Sequence, residues 1–307
     1  MNDIKITELT KGWGSIVSPL SKPIAQLDRD AIISLFEQKG ALLFRGFELD
    51  PKSLTAFTDR FTETYSGEVE RRGKRFSTNI IRSVDPWKKA VDLHSEGSFT
   101  PAWPEIIWFF CIEPPSSGGS TILCDGIELW NALPLTTKEF FQKNAIRYDA
   151  KIPMGNKLSG LGKRAWRFNV PGVSNAIIDW DDGMVELTQM RSAVSEGREK
   201  NTLCFANHLL IDVADENQLM RRTLLDGSEI PKEHMDIIKA LSAKLTYEVQ
   251  WQRGDLIMLD NKRLLHGRRS YPDGDPRDIV VIQTGRASFG YGSTTRRSVS
   301  HLQKKAA

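Results

Sequence analysis

The chain has 307 residues and a mass of 34.7 kDa, so it is long enough to bury a large core in one domain or in two smaller ones. Hydrophobic residues make up 40% of it and charged residues 26%, as in an ordinary globular protein. The formal net charge of only +3 indicates neither a nucleic-acid-binding protein nor a membrane-surface protein.

The cysteines and the N-terminal residues bear on the cellular compartment. Cys111, Cys124 and Cys204 are odd in number and far apart, which argues against a disulfide framework and against a cysteine zinc site. The N-terminal residues show no signal-peptide pattern, and the longest aromatic-aliphatic run, at 106–112, is too short to span a bilayer. We therefore expect a soluble, cytoplasmic protein.

The first half of the chain predicts alternating helices and strands. Residues 28–40 predict a helix that ends at Gly40, and "ALLFRGF" at 41–47 predicts a strand. Asp50-Pro51 resembles a helix cap followed by a first-turn proline, and the helix that it begins would bury Leu54, Phe57 and Phe61. "IIWFFCI" at 106–112 predicts a strand buried on both faces. After a turn cluster, "TILCD" predicts another strand, and short helices are expected at 126–144.

The second half begins with a polar stretch and ends in strands. Residues 150–202 show no dominant period and are interpreted as an irregular insertion or lid. "LCFANHLLI" at 203–211 predicts a strand that runs into a loop, and helices are expected near 216–226 and 231–244. Strands are predicted at 245–251, 256–260 and 278–285, followed by a basic, Ser/Thr-rich tail at 288–307.

Many short strands separated by turns, with few helices, indicate a mainly β, α+β fold. We expect one domain over 1–307 with a jelly-roll core (a double-stranded β-helix), helical decoration and the inserted lid. A Rossmann arrangement would need regular alternation of strands and helices and a glycine fingerprint, and neither appears in the sequence.

Two H-x-[DE] pairs are candidates for metal binding, and the predicted local structure separates them. His234-Met235-Asp236 lies in a stretch with helical spacing, where residues two apart point in different directions, so this pair is interpreted as surface chemistry at a helix end. His94-Ser95-Glu96 lies in an extended-looking stretch, where residues i and i+2 share a face. His94 and Glu96 are therefore the candidate ligands, and a third ligand must come from elsewhere.

The other histidines differ in their surroundings. His301 lies in the tail, and His208, next to Asn207, could line a pocket but is not favoured as a ligand. His266 follows a predicted strand, and Arg277 lies 11 positions later at the start of another. On two antiparallel strands that spacing could bring the arginine close to the histidine.

Together these motifs resemble the iron(II)- and 2-oxoglutarate-dependent oxygenases of the taurine dioxygenase and clavaminate synthase group. The resemblance rests on His94-x-Glu96, the loop "GGST" that ends at Thr121, His266-Gly267 and Arg277, and it extends from "GALLFRGF" through "CFANHLL" to "RDIVVIQTG". Thr121 lies 27 positions after His94, which is the spacing found in that family. Each motif is weak alone, but their order and spacing are specific.

The resemblance implies a reaction and its cofactors. His94, Glu96 and His266 would hold iron(II) on one face and leave the other positions for 2-oxoglutarate and O₂. Arg277, with its planar guanidinium, and the Thr121 hydroxyl would bind the far carboxylate of 2-oxoglutarate. The implied products are succinate, CO₂ and a substrate oxidised at a C–H bond, by hydroxylation, desaturation or cyclisation.

The substrate is less constrained than the reaction. In taurine dioxygenase an arginine four positions after the 2-oxoglutarate arginine binds the sulfonate, and here that position is Val281, so an alkylsulfonate is not expected. The resemblance favours a polar amino acid, or an amino-acid-derived natural-product intermediate, free or tethered to a carrier protein. Candidate substrate contacts are Asn207, Arg82, Phe99 and Trp103. Arg82 also belongs to a set of basic residues that could bind a carboxylate of the substrate, with Arg71, Arg72 and Arg75 before the site and Arg164 and Arg167 in the insertion.

Two other functions stay open at this point. A non-catalytic jelly-roll binding protein would not need Thr121 and Arg277 beside three metal ligands. A zinc-dependent hydrolase could use two histidines and a glutamate, but it would need a general base nearby and no carboxylate-binding arginine. No nucleic-acid or membrane partner is expected, and a homo-oligomer is left open.

Overall fold

The computed structural model describes residues 3–66, 73–84, 87–100, 103–153, 166–170, 173–181, 184–198, 201–211 and 220–290. Side chains are described in these ranges except at 152–153, 166–170, 173–181 and 184–185. The described strands are β1 (Ile4–Glu8), β2 (Ser15–Pro19), β3 (Ala41–Phe44), β4 (Thr62–Tyr65), β5 (Arg82–Ser83), β6 (Val91–His94), β7 (Ile106–Glu113), β8 (Thr121–Asp125), β9 (Ala145–Pro153), β10 (Trp166–Val170), β11 (Val173–Asp181), β12 (Met184–Ser192), β13 (Ser195–Glu196), β14 (Leu203–Cys204), β15 (Met220–Leu224), β16 (Tyr247–Val249), β17 (Leu256–Asp260), β18 (Leu264–Arg268) and β19 (Asp278–Ala287). The helices are α1 (Arg29–Lys39), α2 (Pro51–Asp59), α3 (Gly126–Ala132), α4 (Leu135–Lys143) and α5 (Lys232–Lys244), with a 3-10 turn at Ile24–Gln26.

Two sheets form the centre of the fold. The larger has the order β1-β2-β3-β17-β7-β19-β4, with β5 also paired to β19, and the smaller has the order β16-β8-β18-β6. Pairing within them is antiparallel except between β2 and β3. The mainly β architecture with helices on the outside is the one expected from the sequence.

An apolar layer lies between these two sheets. Leu43, Phe109 and Val281 of the larger sheet belong to the same buried cluster as Leu123 and Leu264 of the smaller one. Two sheets packed face to face by interdigitating side chains make a sandwich core. The candidate ligands lie at this layer, because the smaller sheet carries His94 on β6 and His266 on β18.

Strand β7 explains how the larger sheet is covered on both faces. Ile107, Phe109 and Cys111 face the layer between the sheets, whereas Ile106, Trp108 and Phe110 alternate with them and pack under α1 and α2. Alternation with a period of two turns an unbroken apolar run into a strand buried on both sides. The prediction for 106–112 is therefore confirmed.

The first two helices begin and end where their caps predict. The Asp28 side chain accepts a hydrogen bond from the backbone N–H of Ala31, and α1 ends at Gly40 with φ of 74°, a left-handed conformation that glycine adopts without strain. Asp50 and Ser53 form a capping box at the start of α2. The helices expected at 126–144 and near 231–244 are also present, as α3, α4 and α5.

The region predicted as irregular, 150–202, is largely a sheet in its described part. Strands β9 to β12 and β15 form a five-stranded sheet of order β10-β11-β12-β9-β15. On β12, the buried Leu187 and Gln189 alternate with the more exposed Glu186, Thr188 and Met190, which is the pattern of a half-buried strand. The polar half of that pattern was mistaken for loop composition.

Two further interpretations were wrong. The stretch near 216–226 is not a helix in its described part, because 220–224 pairs with β9 as the edge strand β15, and 212–219 lie outside the described residues. His234 is buried rather than at the surface: its ring stacks on Phe140 at 4.3 Å, and its Nδ1 lies 3.0 Å from the Thr137 hydroxyl. The packing of His234 between α5 and α4 accounts for its burial, and no bound metal is needed to explain it.

Candidate metal centre and the pocket beside it

Three metal-ligand side chains converge in the described part of the chain. One ligand atom each from His94, Glu96 and His266 lies within 4.8 Å of the other two, and all three residues are buried. The Glu96 Oε2 atom is 3.5 Å from Nε2 of His94 and 3.8 Å from Nε2 of His266. The spacing of the three ligand atoms suits one bound ion, and the predicted trio is brought together.

The strand register of the smaller sheet positions the two histidines. His266 of β18 lies directly opposite His94 of β6, and their ring centroids are 4.5 Å apart. Residues directly opposite on antiparallel strands have neighbouring Cβ atoms, so both imidazoles point to one side of the sheet. The same register puts Arg268 opposite Thr121 on β8.

Glu96 reaches the site from a turn rather than from an extended strand. Strand β6 ends at His94, and the residues after it turn through Gly97, whose φ is 63°. This corrects the expectation that His94 and Glu96 share one strand face. A glycine in the left-handed region lets the chain reverse directly behind the carboxylate.

Asn261 fixes this turn from the end of β17. Its carboxamide oxygen accepts from the Glu96 backbone N–H at 2.9 Å, and its amide donates to the carbonyls of Glu96 and Pro104. The Ser95 hydroxyl donates to the Asn261 carbonyl at 2.5 Å and accepts from Trp103 Nε1 at 2.7 Å. Sequence reasoning missed Asn261, since only its contacts distinguish it from any turn asparagine.

The donor set fits iron(II). The Nδ1 atom of His94 lies 2.8 Å from the Asp92 carbonyl, which can only accept, so Nδ1 carries the proton and Nε2 is left with a lone pair on the Glu96 side. Metal-bound histidines usually make this second hydrogen bond to a carbonyl. Two imidazoles and one carboxylate form the facial set of non-haem iron oxygenases.

One pocket joins the trio to the predicted 2-oxoglutarate residues. Its walls come from both central sheets and include Val84, Val91, His94, Glu96, Phe109, Thr121, His266, Gly267, Arg268 and Arg277. Arg277 donates from Nε to the Gly119 carbonyl at 2.7 Å, which anchors it on the "GGST" loop. The Thr121 hydroxyl accepts from Trp251 Nε1 at 3.0 Å, so Trp251 was a further residue that the sequence did not reveal.

The pocket is cationic at the end away from the histidines. Burial and, as the second cause, the neighbouring Arg268 together lower the pKa of Arg277 to about 10. The guanidinium still keeps its charge near neutral pH. Arg268 donates to the Trp87 and Lys89 carbonyls, and its guanidinium lies over the ring of Tyr271 at 5.1 Å. Two guanidinium groups beside one pocket favour a dianion. Arg268 was missed although it follows His266-Gly267 directly.

The predicted substrate residues lie in different surroundings. Phe99 and Trp103 are near the trio: the Phe99 ring packs on His208 at 4.6 Å, and Trp103 bonds to Ser95. The Asn207 carboxamide bonds the Ala193 carbonyl and the Leu209 N–H, which gives it a structural task. Arg82 is buried on β5 and donates to the Asn79 carbonyl. Substrate contact stays a prediction for all four.

The structure describes two further candidates, Arg75 and His208, but few of the remaining basic residues. Arg75 pairs with Asp278, while Arg71, Arg72 and Arg164 lie outside the described residues, as does the side chain of Arg167. The His208 ring is 5.2 Å from that of His94. Burial lowers the pKa of His208 to about 3, with His94 as the second cause, so its ring is neutral.

Comparison with known proteins decides the family. Residues 5–283 match the "Taurine catabolism dioxygenase TauD, TfdA family". The chain belongs to this family. It is thus an iron(II)- and 2-oxoglutarate-dependent dioxygenase that uses O₂, and the binding-protein and zinc-hydrolase alternatives are set aside.

The names of two relatives of this chain refer to synthesis. The chain is 26% identical to the dapdiamide synthesis protein DdaC of Enterobacter agglomerans, covering 78% of this chain and 81% of DdaC. It is 22% identical to the 3-((Z)-2-isocyanoethenyl)-1H-indole synthase of Fischerella ambigua, covering 84% and 87%.

A solved structure supports the fold. PvcB from Pseudomonas aeruginosa superposes with a TM-score of 0.61 at 16% identity, covering 92% of this chain and 91% of PvcB. Another structure of PvcB describes it as an Fe, alpha-ketoglutarate dependent oxygenase from an isonitrile synthetic pathway. Among the described residues of the present chain, no helix has the length and apolar character needed to cross a membrane.

Proposed function

We propose that His94, Glu96 and His266 hold the iron, and that Thr121 and Arg277 hold the far carboxylate of 2-oxoglutarate. The observation that carries this assignment is the convergence of the three ligand atoms within 4.8 Å beside a pocket that Thr121 and Arg277 also line. Iron(II) with 2-oxoglutarate and O₂ supplies the oxidising chemistry when bound. The protein supplies the ligand side chains, the cationic groups and the apolar pocket wall around them.

The chain's own groups divide these tasks. Arg277 presents a planar cation to the distal carboxylate, and its bond to Gly119 fixes the direction of that cation. Because Trp251 donates to the Thr121 oxygen, the hydroxyl proton of Thr121 is free to point at a carboxylate oxygen. Phe109 and Val91 line the same pocket and make part of its wall apolar.

For the substrate, we propose a polar amino acid or an amino-acid-derived natural-product intermediate, free or tethered to a carrier protein. The names of the relatives DdaC and the isocyanoethenyl-indole synthase support this class, as does Val281 where a sulfonate-binding arginine would be needed. Phe99, Trp103, Asn207 and Arg82 remain the proposed contacts.

The organisation that accompanies this function is one domain over 1–307, with an insertion at about 150–202 and a basic tail at 288–307. Cytoplasmic location is proposed because the three cysteines are free, as is usual in a reducing compartment. Whether the enzyme works as a homo-oligomer is a matter for sedimentation.

The test is mass spectrometry of reactions that contain iron(II), ascorbate, 2-oxoglutarate and a panel of amino acids and their derivatives. We expect succinate to form together with a product whose mass is changed by 16 or 2 units. His266→Ala should abolish both products and metal binding, whereas His234→Ala, a change at a buried histidine outside the trio, should leave metal binding intact. Succinate formation that survives His266→Ala, or stimulation only by compounds without an amino-acid skeleton, would contradict the proposal.

A further inference from the structure

Strand β12 carries a fully buried glutamine whose polar atoms have no protein partner. Gln189 is 0% exposed, and among the described residues neither its carboxamide oxygen nor its nitrogen makes a hydrogen bond. A buried amide left without partners costs about 1–3 kcal/mol, so natural proteins rarely retain one without a use. Gln189 therefore needs a partner that is not a described part of the chain.

Gln189 lies on the buried face of the inserted sheet. Its neighbour across the sheet is Tyr148 of β9, which is buried, and the alternating Leu187 is buried on the same face. Tyr148 belongs to the apolar cluster that also contains Phe99. Phe99 in turn packs on His208, whose ring lies 5.2 Å from that of the proposed ligand His94.

Arg191 lies two positions further along the same face. Its guanidinium stacks on the Trp103 ring at 4.5 Å and donates to the Thr100 carbonyl at 3.2 Å, while its Nε atom has no partner in the described chain. No described carboxylate forms an ion pair with it. Burial lowers the pKa of Arg191 to about 10, so it is a cation at neutral pH, and the described residues supply no counter-ion for it.

The turn after Glu96 adds a third unpartnered group. The Ser98 hydroxyl is 1% exposed and makes no hydrogen bond to the described residues. Because Thr100 in the same turn accepts from Arg191, the turn that carries Glu96 and the strand that carries Gln189 are in direct contact. The unpartnered polar atoms thus lie on strand β12 and on the turn that follows Glu96, and these two segments contact each other.

We infer that Gln189 and Arg191 form the substrate-binding wall of the active site, and that the substrate carries an amide and a carboxylate. This inference rests on the proposed function, since it assigns the substrate of the same site. A buried carboxamide offers one donor and one acceptor side by side, and another amide matches both. A guanidinium without a counter-ion matches a carboxylate. N-acylated amino acids are the simplest molecules that offer both groups.

The experiment uses probes that differ by one functional group. N-acetyl-alanine, N-acetyl-leucine and N-acetyl-tryptophan are titrated calorimetrically, without oxygen, into enzyme loaded with iron(II) and 2-oxoglutarate. The best binder is compared with its methyl ester, which lacks the carboxylate, and with the 2-acetoxy acid of the same side chain, which lacks the amide N–H. We expect each change to weaken binding to the wild type at least about tenfold.

Variants then assign each group to a residue. Gln189→Met should remove the difference between the amide and the acetoxy probe, and Arg191→Met should remove the difference between the acid and its ester. Thr188→Val is the matched control: Thr188 is on the same strand, and its hydroxyl donates to Asp149 at 2.6 Å. It should leave both differences unchanged.

Thermal unfolding of the ligand-free variants separates binding from structure. Removing an unpartnered buried amide should leave the melting temperature of Gln189→Met equal to or above that of the wild type, whereas Thr188→Val loses a hydrogen bond and should melt lower. A melting temperature of Gln189→Met several degrees below the wild type would mean that Gln189 is bonded within the protein, and the inference would fall.

Failure of the inference and failure of the proposed function look different. If the visible charge-transfer band of the iron and 2-oxoglutarate complex forms but no N-acetyl amino acid binds, the substrate class is wrong and the metal and co-substrate assignment stands. The same holds if the probes bind but Gln189→Met and Arg191→Met keep both differences. If the band does not form in the wild type, the proposed function itself fails.

Discussion

His94 and His234 are both buried, and the Nδ1 atom of each lies within hydrogen-bond distance of an oxygen, but their other nitrogens face different surroundings. Nε2 of His94 faces a buried carboxylate and, across the strand pair, a second imidazole. Nε2 of His234 has only Glu233 at 3.8 Å, and that carboxylate is 77% exposed. A solvated carboxylate cannot join a closed metal site, so what surrounds an H-x-[DE] histidine decides its role.

Of the proposed site residues, Arg277 is the one at which we expect a conservative change to weaken 2-oxoglutarate binding most selectively. In Arg277→Lys the charge is kept but the parallel pair of N–H groups is lost, together with the bond to Gly119. We expect the apparent KM for 2-oxoglutarate to rise roughly tenfold to hundredfold, because hydrogen bonds to charged groups contribute about 1.5–3 kcal/mol. Steady-state kinetics with varied 2-oxoglutarate measures this.

Arg253→Lys is the control for that change, since Arg253 is an exposed arginine that pairs with Glu113. It should leave the KM for 2-oxoglutarate unaltered. An equal KM in Arg277→Lys and the wild type would remove Arg277 from the co-substrate site.

At the scale of elements, the pairing of β6 with β18 is what makes two distant histidines neighbours. The pairing depends on Gly267, since a Cβ atom there would lie 2.4 Å from the Val91 carbonyl oxygen and 3.0 Å from Asp92. Backbone cannot move aside as a flexible side chain can. The glycine after His266 therefore allows the close approach of the strand that carries His94.

Gly267→Ala should accordingly damage the metal site through the backbone. We expect β6 to shift away from β18, with a loss of about 2 kcal/mol in the free energy of unfolding and weaker metal binding. Urea unfolding and metal titration measure the two effects. Gly73→Ala is the control, because a Cβ atom there meets only the Ser83 hydroxyl at 3.7 Å. Unaltered metal affinity in Gly267→Ala would show that the strand approach is not needed.

Elements with local signals could be predicted from the sequence, and elements held by distant partners could not. Caps at Asp28 and Asp50 and the apolar run of β7 mark their elements within a few residues. Strand β15 has no such signal and forms because β9 offers it an edge. In the site, the motif spacings pointed to the metal trio and the arginine, whereas Asn261 and Trp251 matter only through contacts with residues far along the chain.

At the scale of the whole molecule, the pocket lies where the two central sheets meet. The metal trio comes from the smaller sheet and the turn after it, while Arg277 stands at the start of β19 in the larger sheet. A bound metal ion would therefore link residues of the smaller sheet and the turn after β6. 2-Oxoglutarate, bound both to the metal and to Arg277, would link the smaller sheet to the larger one.

This arrangement predicts an ordered stabilisation by ligands. Metal alone should raise the melting temperature, and 2-oxoglutarate should add a further increment only when metal is present, because its affinity depends on both ends of the pocket. At one hundred times the dissociation constant a ligand contributes about 2.7 kcal/mol, or on the order of 5 °C for a chain of this size. Differential scanning calorimetry in four combinations of metal and 2-oxoglutarate measures the increments. Arg277→Lys should keep the increment from metal and lose most of the one from 2-oxoglutarate, whereas equal stabilisation by 2-oxoglutarate with and without metal would mean that the co-substrate does not bridge the sheets.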